Sequence, residues 1–76
     1  MEKMIQLNSM TEVKDFVRYA SEHKGDITLY SDRYTVDGKS IMGVFSLDLS
    51  KPVKMVVEGV LPIDVREGIH QFVVEG

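Results

Sequence analysis

Residues 9 to 25 constrain the fold of this chain more than any other stretch. Ser9-Met10-Thr11-Glu12 is a capping box, in which the Ser9 hydroxyl accepts from the Glu12 amide while Glu12 reaches back. Met10, Val13, Phe16, Val17 and Ala20 follow at helical spacing and form one apolar stripe. Gly25 supplies a left-handed stop. The spacing therefore predicts a helix over about residues 10–24. A helix with a single apolar stripe must lay that stripe on another element, so the rest of the chain has to provide a one-faced partner.

Alternating runs provide it. Met1 to Leu7 reads as a strand with Ile5 and Leu7 on one face. Asp26 to Ser31 turns Ile27 and Leu29 inward, and Tyr34 with Val36 repeats the pattern after the polar turn Ser31-Asp32-Arg33, which predicts a hairpin. Gly38 breaks the strand, and Ser40 stands as the N-cap of a short helix carrying Ile41, Val44, Phe45 and Leu47. Pro52 prevents continuation of that helix, and Val53, Met55 and Val57 form a further strand.

The last segment carries mixed signals. Asp64-Val65-Arg66-Glu67 is a second possible cap, with Val65, Ile69, Phe72 and Val73 on one helical face. Gly68 disfavours a helix interior by up to about 1 kcal/mol, and Phe72-Val73-Val74 prefers a strand. The balance favours a helix. The order β-α-β-β-α-β-α then predicts an α+β chain, a single domain over residues 1–76, with helices on one face of an antiparallel sheet.

Several function classes are disfavoured. Seventy-six residues leave room for one compact core that buries about 60% of the unfolded surface. The chain has no cysteine, hence no disulfide and no thiolate ligand. A net charge of -3 without clustered Lys and Arg disfavours nucleic acid. No apolar run approaches the roughly 20 residues of a membrane span, and the N-terminus lacks a signal-peptide layout, so a cytoplasmic location is expected. His23 and His70 lack the spacing and partners of a metal site, and no cofactor is expected. Gly38-Lys39-Ser40 lacks the upstream glycine of a phosphate loop, and the carboxylates are scattered as on a solvated surface.

The stretch from Asp37 to Leu47 resembles the regulatory-serine segment of HPr, the histidine phosphocarrier family of the bacterial sugar phosphotransferase system. Lys39-Ser40-Ile41-Met42-Gly43-Val44 matches the Gram-positive form of that segment almost letter for letter, and Asp26-Ile27-Thr28-Leu29 matches the family's second strand. The resemblance implies an HPr-like open-faced sandwich of four antiparallel strands covered by three helices. It also implies a carrier histidine at the start of the first helix, in a Gly-(Ile/Leu)-His-(Ala/Thr)-Arg-Pro stretch. Here that stretch reads Leu7-Asn8-Ser9-Met10-Thr11-Glu12-Val13, with Ser9 at the histidine position and Thr11 at the arginine position. The preceding loop is about five residues shorter than the family's.

A serine phosphate is a stable monoester, whereas phosphoimidazole gives up its phosphoryl group readily, so Ser9 cannot stand in as a reversible carrier. Glu12 and Asp15 suit the positive helix end and repel an incoming phosphate. Ser9 is read as a cap. The resemblance makes Ser40 the candidate for phosphorylation by an HPr-type serine kinase, and Lys39, Ile41, Met42 and Phe45 the partner-docking residues. No enzymatic activity is expected. The expected role is a non-catalytic regulatory or interaction protein whose partners are phosphotransferase components, the kinase or a transcriptional regulator. Alternatives are a phosphocarrier with a non-standard acceptor and an orphan structural domain in another complex.

Overall fold

The structure, a computed structural model, describes residues 1–74. Seven elements follow one another: β1 (Glu2–Ile5), α1 (Met10–Ser21), β2 (Ile27–Ser31), β3 (Tyr34–Asp37), α2 (Ile41–Phe45), β4 (Val53–Val57) and α3 (Ile63–His70). The strands form one sheet in the order β1-β4-β2-β3, antiparallel throughout. Register runs from Glu2↔Val56 to Ile5↔Val53 on one side of β4 and from Ile27↔Val57 to Tyr30↔Lys54 on the other.

That register puts every inward apolar residue on one face. Ile5, Ile27, Leu29, Val53, Met55 and Val57 are buried, and they share one core with Val13, Phe16 and Ala20 of α1, Val44 of α2 and Val65 and Ile69 of α3. Phe16 meets the ring of Phe72 edge-on, with centroids 6.1 Å apart. The other face stays open. There Lys54 lies 5.0 Å over the Tyr30 ring and pairs with Glu2 at 3.5 Å. The period-two alternation thus gives a two-layer α+β sandwich with all helices on one side.

The structure corrects several boundaries. β1 spans Glu2–Ile5 rather than Met1 to Leu7, although Leu7 is buried as expected. Ser31 belongs to β2 and pairs with Tyr34, so the hairpin turn holds two residues, not three. α1 ends at Ser21 with Glu22 as its C-cap, three residues early. Met10 is 62% exposed and leaves the stripe, because the first residue of α1 overhangs the core.

Gly25 is not the left-handed stop, since Gly59 is the glycine with positive φ (+79°). Its role is close approach. A Cβ at Gly25 would overlap the Glu58 carbonyl oxygen and stand 2.9 Å from Nε2 of His23. α3 begins after Pro62, without a side-chain cap, so Asp64 lies in the first turn instead of capping it. Gly68 is tolerated inside α3 because the Tyr19 ring occupies the space a Cβ would need.

Both readings of the C-terminal segment meet in the structure. The helix ends at His70, and the chain then runs along the free edge of β1. Gln6 N donates to Phe72 O at 2.8 Å, Val74 N donates to Met4 O at 2.9 Å, and Val73 bridges Ile5. The segment therefore covers one sheet edge, and the other edge, β3, is only four residues long.

Candidate functional site

The start of α1 is closed by its own side chains. Ser9 is extended (φ -151°, ψ 164°), and its Oγ accepts from Glu12 N at 3.1 Å. The Glu12 carboxylate accepts from Asn8 N at 3.0 Å, one residue further back than a standard capping box reaches. An anion already sits at the positive end of this helix, supplied by the chain itself. Thr11 is exposed in the same turn, and Asp15 pairs with Arg18 at 3.7 Å.

Ser40 caps α2 as its position predicts. Its Oγ accepts from Gly43 N at 3.1 Å, and the Ser46 hydroxyl closes the other end on Gly43 O at 2.6 Å. Five residues cannot bury every side. Val44 goes fully into the core, which leaves Met42 76% exposed and Ile41 and Phe45 each 36% exposed. The three expected docking side chains thus form an apolar patch beside Ser40.

Lys39 does not join that patch. Its Nζ donates to the His23 carbonyl at 2.6 Å, just beyond the C-terminal end of α1, and its backbone N–H donates to Asp37 Oδ1 at 2.9 Å. The amine is engaged with the negative end of that helix.

An open depression of about 440 Å³ joins the two helices. Ser9, Met10 and Val13 from the start of α1 line it together with Phe45 of α2 and with Leu49 and Ser50 of the loop that follows. Sequence reasoning placed Met10 in the core and so missed it here; its place at the very first helical residue was the available signal. Asp48 immediately precedes Leu49 and Ser50 of this lining. Ser50 donates to its carboxylate through the hydroxyl at 2.6 Å and through the backbone N–H at 3.0 Å, and these bonds hold its pKa below the usual carboxylate value. A negative charge is therefore held beside Ser50, one of the residues lining the depression.

The two histidines lie elsewhere. His23 follows the C-cap of α1 and is buried, with Nε2 2.7 Å from the Glu58 carbonyl oxygen. A carbonyl only accepts, so Nε2 carries the proton of that bond. Ser9 and His23 stand at opposite ends of a 12-residue helix, roughly 18 Å of axis. His70 ends α3 on the surface. Among the described residues no group of three or more His, Cys, Asp or Glu side chains is placed to hold a metal ion, and no helix is long and apolar enough to cross a membrane.

Comparisons with known proteins agree on one family. A family model described as the PTS HPr component phosphorylation site matches residues 11–71. HPr-C-His from Thermoanaerobacter tengcongensis is 27% identical, covering 93% of this chain and 88% of that one with a TM-score of 0.76. The phosphocarrier protein HPr from Bacillus anthracis str. Ames is 25% identical over 97% and 96% of the two chains, with a TM-score of 0.71. The Bacillus subtilis catabolite repression protein Crh, a dimer with a swapped domain, shares the fold at 23% identity, with coverage of 93% and 88% and a TM-score of 0.64. No curated protein matches the chain.

Proposed function

The chain belongs to the HPr family of the phosphotransferase system, and from that premise we propose that it is a member without the carrier histidine, acting by binding proteins and regulated through Ser40. Family members carry phosphoryl groups between proteins rather than catalyse a reaction of their own, and their partners are phosphotransferase components. The observation that carries the proposal is the α1 N-cap: a serine whose hydroxyl is held by Glu12 N, with a carboxylate where a phosphoryl group would have to arrive. His23 is a whole helix away and donates to the Glu58 carbonyl, so phosphorylation at Nε2 would break a buried hydrogen bond.

Intact-mass analysis after incubation with phosphoenolpyruvate and enzyme I tests the reading directly. We expect no acid-labile adduct. A stoichiometric acid-labile phosphoryl group mapping to His23 or His70 would establish a carrier with a non-standard acceptor instead. His70 is the one to watch, because Arg66 stands one turn before it.

The patch of Ile41, Met42 and Phe45 is the proposed docking surface, and Lys39 supports it from behind by anchoring α2 to the end of α1. Ser40 would receive phosphate from an HPr-type kinase using ATP. A phosphoserine adds about -1.5 to -2 charge at neutral pH, so its effect should fall on partner choice. Ser40→Ala is expected to lower stability by about 1 kcal/mol in denaturant melts even without a kinase, because Gly43 N loses its acceptor. Ser40→Asp should restore the cap and block phosphorylation. If the kinase leaves the wild-type chain unmodified while a true carrier in the same tube is modified, Ser40 is a cap only.

A further inference from the structure

We propose that the outward face of α3, centred on Arg66, is a second recognition surface, for a peptide segment with an aliphatic side chain beside a carboxylate. The surface shares no residue with the α2 patch or with the depression between Ser9 and Phe45.

Three depressions meet at Arg66. The innermost, about 120 Å³, is lined by Met1, Leu61 and Val73 together with the buried Met55 and Ile69, and Lys3, Arg66 and His70 stand around it. No carboxylate lines it. In a chain of net charge -3, this convergence of basic side chains on one hollow runs against the average surface. Among the described residues, neither Lys3 nor Arg66 takes part in an ion pair.

Size and chemistry specify the occupant. A dry cavity of roughly 150 Å³ accepts benzene, so a hollow slightly smaller suits one aliphatic side chain. The planar guanidinium of Arg66 matches a carboxylate with two parallel hydrogen bonds. The flanking depressions add Val60, 92% exposed, and Ile63, 71% exposed, both apolar side chains beside Arg66, and the one on the Ile63 side also carries the carboxylate of Glu67. Such exposure on either side of a cation fits an extended acidic segment with apolar neighbours better than a bare anion.

The test is an NMR titration of the full chain with the blocked tetrapeptide glycyl-leucyl-aspartyl-glycine. Saturable shifts are expected at the methyls of Met1, Leu61 and Val73. Replacing the aspartyl by asparaginyl, or the leucyl by alanyl, should weaken binding about tenfold each. Arg66→Gln should do the same, and Arg66→Lys should recover part of the loss. Arg66 is exposed, so the melting curve of the variants should match wild type. Met42→Asp should leave the titration unchanged. Shifts centred on Met42 and Phe45, shifts indifferent to the aspartyl group, or wild-type affinity in Arg66→Gln would each overturn the proposal.

Discussion

Phe16→Ala is expected to lower the unfolding free energy by about 3–5 kcal/mol, the largest effect of any single truncation considered for this chain. Phe16 is fully buried and packs its ring edge-on against Phe72, so the substitution removes an aromatic side chain and leaves a void between α1 and the C-terminal segment. A domain of 76 residues has roughly 4–11 kcal/mol in total, at about 0.05–0.15 kcal/mol per residue. The variant would thus lose much of its margin, and its melting temperature should fall by of order 15–30 °C. Met42→Asp is the contrast, because Met42 is 76% exposed and its stability effect should stay within about 0.5 kcal/mol. Phe45→Asp should fall between the two, since its ring is partly covered at the depression beside Met10. Denaturant melts of the three variants check the order. A Met42→Asp variant as damaged as Phe16→Ala would place the α2 patch in the core and remove the docking surface.

Gly25→Ala should destabilise by about 1–3 kcal/mol, although the same change in an open loop usually stabilises by about 0.4–1 kcal/mol. Gly25 does not have a positive φ, so backbone strain plays no part. The obstacle is contact: the added methyl meets the Glu58 carbonyl oxygen, which is backbone, and Nε2 of His23. Relief requires the segment after β4 to move outward, which stretches the 2.7 Å bond between His23 and Glu58 and the bond from Glu58 N to Asp26 O at 2.9 Å. The imidazole Nε2 proton, observable by NMR in slow exchange while the bond holds, should broaden in the variant. Wild-type stability together with an unchanged imidazole signal would show that the 58–59 segment yields freely.

These two glycine and aromatic positions show where legibility ended. Phe16 was readable because a helical stripe is a local property: period 3.6 identifies the buried face without knowledge of what covers it. Ser9 and Ser40 were readable for the same reason, as a cap is decided by a residue and its neighbours three positions on. The role of Gly25 was not, because Glu58 is far away in sequence and only the sheet brings it near. Lys39 illustrates the same limit at the candidate site. The family resemblance implied a docking role, and no local pattern showed that the fold also brings the His23 carbonyl at the end of α1 within 2.6 Å of its amine.

The sequence by itself determined the element order, the one-faced alternation that demands a two-layer fold, the two serine caps, and the absence of histidine from the first helix start. Each rests on spacing within a few residues. The tertiary structure alone decided the strand order β1-β4-β2-β3, the pairing of the last residues with the edge of β1, the burial of His23 against Glu58, and the convergence of Lys3, Arg66 and His70 on one hollow. Those features join residues up to about 70 positions apart, and their energies come from packing and from hydrogen bonds whose partners no local pattern names.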